Sequence, residues 1–263
     1  MRYWWQFLWL LTLSAVIAHP LLAQPSTTED NLGRRSGFAD MSPTTQAMQR
    51  DDRQNPAMLW VADGETLWNS PVGSANKSCS SCHGPVASLR GAVVRYPGFD
   101  AASQKPVTLG ERINLCRQRH QLATSLLPQD QRLIALEAVV AHQSRGMSIR
   151  PDPDTRLKPY RDRGEALFSQ RLGQLNLSCA QCHDQQAARL LGGTVIPQAH
   201  PTGYPLYRLE WQGMGTLQRR LRNCMSGVRA EPFAYGSPDL VALELYLVQR
   251  AAGMPLETPA VRP

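Results

Sequence analysis

No cysteine lies outside two small groups, Cys79/Cys82/Cys116 and Cys179/Cys182/Cys224. That leaves no thiols for a disulfide scaffold spread along the chain. After residue 23 no apolar run is long enough to cross a bilayer, which excludes stable insertion by a helix in the body of the protein. The alternating strands and helices that frame a thioredoxin-like CxxC site are missing too. Acids are in short supply: 21 Asp and Glu face 28 Lys and Arg, for a net charge of +7. This balance favours anionic ligands and acidic partners. The basic residues are dispersed, which argues against nucleic acid as a partner. Apolar residues reach only 42%, and 19 glycines with 20 prolines describe a loop-rich chain rather than a continuous helical bundle.

The 263 residues suit two domains of about 100 residues each. Met1-Arg2, the apolar stretch from Tyr3 to Ala18, and Leu21-Leu22-Ala23 before Gln24 read as a secretory signal over residues 1–23, cleaved after Ala23. An uncleaved anchor is the alternative, against which His19-Pro20 and the shortness of the run both argue. Cleavage removes one Arg and no acid, leaving a charge of +6. Residues 24–57 are polar with little periodicity and read as an extended arm with about one helical turn. Such an arm can wrap a partner, wrap its own second domain, or stay mobile.

Within the body of the chain, Cys79-Ser80-Ser81-Cys82-His83 and Cys179-Ala180-Gln181-Cys182-His183 are both Cys-x-x-Cys-His. Two thiols three residues apart, in one backbone turn, can form thioethers to the two vinyl groups of a haem. The next imidazole then reaches the iron as proximal ligand. The expected cofactors are two covalently bound haem c groups, held by Cys79, Cys82, Cys179 and Cys182, with His83 and His183 on iron. Six thiols in an oxidising compartment would otherwise form three disulfides, or the pairs could be redox-active dithiols. Neither alternative requires His directly after each pair.

An internal repeat surrounds the motifs. Gly64-Glu65-Thr66-Leu67-Trp68 matches Gly164-Glu165-Ala166-Leu167-Phe168, and the same shift aligns Asn76 with Asn176 and Ser78 with Ser178. Further on, Tyr96-Pro97 resembles Tyr204-Pro205, and the run from Leu109 to Cys116 aligns with that from Leu217 to Cys224. Leu133-Ile134-Ala135-Leu136-Glu137 matches Leu240-Val241-Ala242-Leu243-Glu244, and each copy ends in Gly-Met, at Gly146-Met147 and Gly253-Met254. Each half is therefore helix, CxxCH, long loop, short helix ending at Cys, terminal helix. That is the order of a cytochrome c domain, and it predicts an all-α fold of two tandem cytochrome c-like domains. Arg150-Pro151-Asp152-Pro153-Asp154 is too proline-rich for a helix and serves as linker. Domain 1 is expected over residues 58–154 and domain 2 over 155–263. The second copy carries eight extra residues between its CxxCH and its later Cys, which points to the second haem as the functional one.

Met147, Met214, Met225, Met254, His120, His142 and His200 are all candidates for the sixth iron ligand. Cys116 and Cys224 hold matching places in both halves, each seven residues after a Leu and four after an Arg, so thiolate is favoured on both irons. A Cys116–Cys224 disulfide, buried free thiols, and ligation by Met147 and Met254 are the alternatives. Arg220 shares a helix face with Cys224 and can hold an oxyanion beside it. Arg112 has the equivalent place, so both can instead pair with haem propionates. Arg219 and Arg222 add positive charge, and His200 reads as a loop residue rather than a catalytic base.

The run Arg219-Arg220-Leu221-Arg222-Asn223-Cys224, with Val228-Arg229-Ala230-Glu231-Pro232 and Gly236-Ser237, resembles SoxA, the dihaem subunit of the SoxAX cytochromes of bacterial thiosulfate oxidation. So do His200-Pro201-Thr202 and Tyr207-Arg208-Leu209, and the resemblance covers roughly residues 55 to 256. It implies a periplasmic L-cysteine S-thiosulfotransferase that couples thiosulfate oxidatively to a cysteine of the SoxYZ carrier. It also implies a complex with a SoxX-type monohaem cytochrome c and a c-type cytochrome as electron acceptor. By matched position it makes Cys224, found as a persulfide in relatives, and Arg220 the active-site residues. Two other functions fit a dihaem chain: a thiosulfate dehydrogenase, whose tetrathionate product stays soluble, and a plain electron carrier, in which Cys224→Ala would leave thiosulfate coupling intact. A dihaem peroxidase fits less well, because a thiolate on iron leaves no open position for peroxide.

Overall fold

The second half of the chain repeats the helix order of the first and adds short strands. The computed structural model describes residues 30–263, so the signal reading of residues 1–23 lies outside the described residues. Helix α1 (Pro43–Arg50) opens with Ser42 as N-cap and Pro43 in the first turn. The first repeat contains α2 (Met58–Asn69), the CxxCH turn α3 (Ser80–His83), a hairpin of β1 (Gly98–Asp100) and β2 (Lys105–Val107), then α4 (Leu109–Cys116) and α5 (Gln131–His142). The second contains α6 (Lys158–Ser169), α7 (Cys179–His183), a small hairpin of β3 (Leu190–Leu191) and β4 (Thr194–Val195), β5 (Leu206–Arg208), β6 (Gly213–Gly215), α8 (Leu217–Gly227) and α9 (Pro238–Arg250). A last strand, β7 (Ala260–Arg262), pairs parallel to β5, while β6 pairs antiparallel to it. Helices dominate, as the sequence predicts. The strands are short, and they sit in the loops between helices.

Each matched residue of the repeat has a backbone reason. A Cβ on Gly64 would lie 2.2 Å from the Ala135 carbonyl oxygen, and one on Gly164 would lie 2.0 Å from that of Ala242. The glycines let α2 cross α5, and α6 cross α9, at near contact. Asn76 and Asn176 take left-handed backbone at φ 48° and 51°, where a short polar side chain is tolerated. Ser78 and Ser178 cap the CxxCH turns: each hydroxyl accepts from the backbone N–H three residues on, of Ser81 at 3.0 Å and of Gln181 at 3.2 Å.

Around these crossings the core divides by repeat. Trp68, Ile134, Val139 and Val140 are buried in the first, with Met214 of β6 inserted from the second. Leu167, Phe168, Leu240, Leu243 and Leu247 fill the second. The two Gly-Met ends meet in an antiparallel pairing in which Ser148 lies opposite Pro255. Ile149 N–H donates to the Met254 carbonyl and Leu256 N–H to the Met147 carbonyl, both at 2.9 Å. Ser148 and Pro255 are equivalent residues, so their antiparallel pairing marks a local two-fold axis between the repeats.

The segment from residue 30 lies across the second repeat and contains a full helix, α1, rather than a single turn. Arg34 donates to the carbonyls of Arg250 and Ala252 at 2.9 and 3.0 Å. Asn55 donates to the Pro259 carbonyl at 3.0 Å, and Gln49 accepts from Val261 N–H at 3.0 Å.

Candidate haem and anion site

Around α7 the sequence-predicted residues converge. In a helical turn, residues three and four apart share a face, so Cys179, Cys182 and His183 project the same way. The turn is fixed by a reciprocal cap in which Gln181 also accepts from Ser178 N–H at 2.9 Å. His183 Nδ1 lies 2.7 Å from the Pro197 carbonyl oxygen. A carbonyl can only accept, so Nδ1 carries the proton and Nε2 of the neutral ring is left with its lone pair free. Such a carbonyl anchor is the usual support of a metal-binding imidazole. Pro197 carries no signature in the sequence, because it acts through its backbone.

Helix α8 presents Cys224 to this turn. Thr216 caps the helix by accepting from Arg219 N–H at 3.3 Å, and the Cys224 thiol comes within hydrogen-bonding reach of the His183 ring. Burial opposes its ionisation, but His183 and the positive charges of Arg220 and Arg208 prevail, and the thiol falls below its ordinary range. Burial, then the neighbouring Cys224, pushes the Cys179 thiol up to about 11. An imidazole nitrogen and a thiol facing each other beside a CxxC pair is a donor set that fits haem c, with thioethers from Cys179 and Cys182 and His183 and Cys224 as iron ligands.

The neighbouring methionines, Arg219, Arg222 and His200 have packing and hydrogen-bond partners of their own. Met147 and Met254 pack in the interface cluster with Val94, Ile149, Ala251 and Leu256, and Met214 and Met225 are buried in the two cores. Arg222 is committed to the carbonyls of Pro232 and Phe233 and to the Tyr235 ring, 4.6 Å away, and Arg219 lies 4.2 Å over the Trp211 ring. His200 places Nδ1 2.9 Å from the Arg35 carbonyl and holds the N-terminal segment. Arg220, in contrast, has no ion-pair partner among the described residues.

In the first repeat the equivalent residues also gather, with a different balance. Burial pushes the Cys116 thiol above its ordinary range, against the opposing charges of Arg112 and Arg119. His83 is exposed, its ring 5.7 Å from that of Trp68. Arg112, the counterpart of Arg220, donates to Asp100 at 2.8 Å, and Arg119 donates to the same carboxylate at 2.9 Å. No disulfide joins any two of the six cysteines, so there is no Cys116–Cys224 bridge.

The SoxA/TsdA cytochrome c domain model matches twice, over residues 63–149 and 163–256. An L-cysteine S-thiosulfotransferase subunit SoxA of Pseudaminobacter salicylatoxidans is 35% identical over 86% of this chain and 80% of its own length. The subunit of the same name from Rhodovulum sulfidophilum is 34% identical over 87% and 80%. The crystal structure of SoxXA from P. pantotrophus superposes with a TM-score of 0.84 at 33% identity, covering 88% of this chain and 87% of that one. Both halves of the sequence, the cysteine pattern and the tertiary arrangement thus agree, and the chain belongs to the SoxA family of cytochrome c proteins.

Proposed function

We propose that this protein is a periplasmic dihaem L-cysteine S-thiosulfotransferase, working with a SoxX-type cytochrome on the SoxYZ carrier. The observation that carries it is the pairing of His183 with Cys224 beside Arg220, whose charge no carboxylate among the described residues neutralises. Haem c, held by Cys179 and Cys182 in one half and by Cys79 and Cys82 in the other, supplies one-electron redox chemistry when bound. His83 with Cys116, and His183 with Cys224, are the residues that would hold the two irons. The names of the relatives and of the SoxXA structure support the transferase activity and the partner. No helix among the described residues is long and apolar enough to cross a membrane.

The net reaction joins the outer sulfur of thiosulfate to a carrier thiolate. One sulfur–sulfur bond forms, no bond breaks, and two electrons leave to a c-type cytochrome acceptor. The chain's residues have three tasks. Arg220 binds the dianion through charge-assisted hydrogen bonds. Cys224 supplies the sulfur beside which the outer thiosulfate sulfur is placed. His183, anchored on the Pro197 carbonyl at 2.7 Å, keeps its Nε2 directed at the site. The test supplies thiosulfate, acceptor and carrier to the complex and asks where the oxidised sulfur goes. It should appear on the carrier cysteine; soluble tetrathionate alone would instead identify a thiosulfate dehydrogenase.

A further inference from the structure

The two repeats superpose in number as well as in shape through the region that precedes each distal cysteine. β1 and β5, β2 and β6, and the starts of α4 and α8 are all separated by the same 108 positions, and so are the two Tyr-Pro pairs. Under that shift Arg112 falls on Arg220 and Cys116 on Cys224, and Asp100, the last residue of β1, falls on Arg208, the last residue of β5. The sign of the charge is reversed at one structural position. In the first repeat Asp100 also accepts from the Ser103 hydroxyl and N–H, and it ties up both Arg112 and Arg119. In the second repeat the place of that carboxylate is taken by another guanidinium.

Arg208 is held in a way that suits a ligand rather than the fold. Its side chain is only 12% exposed, and its one carboxylate partner, Glu210 at 3.1 Å, is itself 59% exposed. Its buried Nε has no hydrogen-bond partner. The guanidinium lies 5.3 Å from the Trp211 ring centre. Trp211 donates from Nε1 to the Asn223 side chain at 3.3 Å, once that amide is oriented to suit its neighbours, so the ring is fixed to the helix that carries Cys224. Burial, then the charge of Arg220, lowers the Arg208 pKa, so the two cations share one low-dielectric site. Two like charges with a buried donor left over constitute a deficit that a small dianion would fill.

We propose that Arg208 is the second half of the anion site: with Arg220 it holds the sulfonate end of a small sulfur oxyanion beside Cys224, and the Asp100-for-Arg208 exchange denies the first repeat the same ability. This rests on the thiosulfate-coupling reading, for which Arg208 is a binding and positioning residue. The Arg208 fork would take sulfonate oxygens through its unpaired Nε and a neighbouring N–H. A haem propionate carries related carboxylate chemistry, and the experiment separates the two sources.

The test uses the haem-loaded complex with its cytochrome partner and carrier. Arg208→Gln should raise the KM for thiosulfate by about 10–100-fold, the loss of one charge-assisted contact, with kcat within about threefold. Arg208→Lys, which keeps the charge, should recover part of the affinity, and it serves as the second variant should the glutamine form fold poorly. Arg208→Asp recreates the Asp100–Arg112 pair with Arg220 and should abolish thiosulfate binding in a folded protein. Sulfate, an unreactive oxyanion, should bind the wild-type complex in calorimetry and bind the Arg208→Gln complex at least about tenfold more weakly. A thiosulfate KM unchanged in Arg208→Gln while wild-type transfer proceeds would overturn the proposal alone, and a shifted haem potential in that case would assign Arg208 to a propionate. Sulfate binding that depends on Arg208 in a complex that transfers nothing to the carrier would sink the coupling reading and leave the anion site standing.

Discussion

Asp100 decides what the first repeat cannot do. Its carboxyl bridges Arg119 and Arg112, and those bonds, Arg119 foremost, with help from Ser103, hold it well below the usual carboxylate range. A depressed carboxyl contributes stability above its unfolded value, and that contribution is lost as pH falls. Asp100→Asn should therefore cost about 1–3 kcal/mol at neutral pH. Because both arginines are about a third exposed, solvent screening favours the low end. Urea unfolding measured from pH 7 downward should show the difference shrinking below the ordinary value of 3.8. A constant difference would mean that shape, not charge, is what Asp100 supplies. At this scale the sequence was partly legible. The cysteines and histidines of the two CxxCH motifs, and the matched Cys116 and Cys224, announced themselves through spacing. The Pro197 carbonyl could not, because a backbone oxygen has no residue-type signature. Arg208 stood in a recognisable run, but its role depends on the charge at the equivalent position, which emerges only when the loops are aligned through β1 and β5.

Among the elements, the helix crossings carry the architecture. An alanine normally stabilises a helix interior relative to glycine by about 1 kcal/mol. At Gly164 the sign should reverse, because the added Cβ would meet the Ala242 carbonyl at 2.0 Å, and backbone cannot yield as a side-chain tip can. Gly164→Ala should lower stability by about 1–3 kcal/mol, read as a reduced urea midpoint with an unchanged slope. An equal or higher midpoint would show that α6 and α9 can separate at little cost. The helices were visible as repeated Gly-x-x-Leu-aromatic segments, since a helix pattern persists over several turns, but that they cross at the glycines was not. The three-stranded sheet of β6, β5 and β7 was not visible. Its strands are three residues long, too short for an alternating pattern, and the β5–β7 pairing joins residues more than fifty apart. Helix α1 escaped for a related reason: its packing partner is β7, at the far end of the chain.

For the whole molecule, the two-fold contact between repeats is the feature most open to test by pH. A cavity of about 70 Å³ lies on it, lined by equivalent residues from both sides, among them Glu137 and Glu244. Burial, then the charge of Glu244 and of Glu111, pushes Glu137 up to about 8, and burial raises Glu244 to about 7 although Gln218 donates to it at 3.1 Å. Both glutamates are half-buried and line the cavity. A carboxyl whose folded pKa is raised binds its proton more tightly in the native state, so stability falls as pH rises from the ordinary 4.5 to about 8. Melting temperature should therefore drop across that range. Glu137→Gln should flatten the drop and stabilise the protein at pH 8 by at least about 1.4 kcal/mol, the equivalent of one pKa unit. Identical pH profiles for wild type and variant would show that the pair does not govern the contact. The sequence disclosed the two matched glutamates but not that they meet, because nothing in a tandem repeat specifies how its copies pack.

Whether sulfur chemistry takes place at Cys224 can be read from the mass of the carrier. Wild-type and Cys224→Ala complexes, both shown to retain two haems per chain, would be given thiosulfate, a c-type cytochrome acceptor and the carrier. The carrier cysteine should gain a thiosulfonate group with the wild type and lose at least about 99% of that gain with Cys224→Ala, as expected when a group acting at the reacting atoms is removed. Undiminished modification by Cys224→Ala would contradict the account and reduce Cys224 to a ligand in an electron carrier.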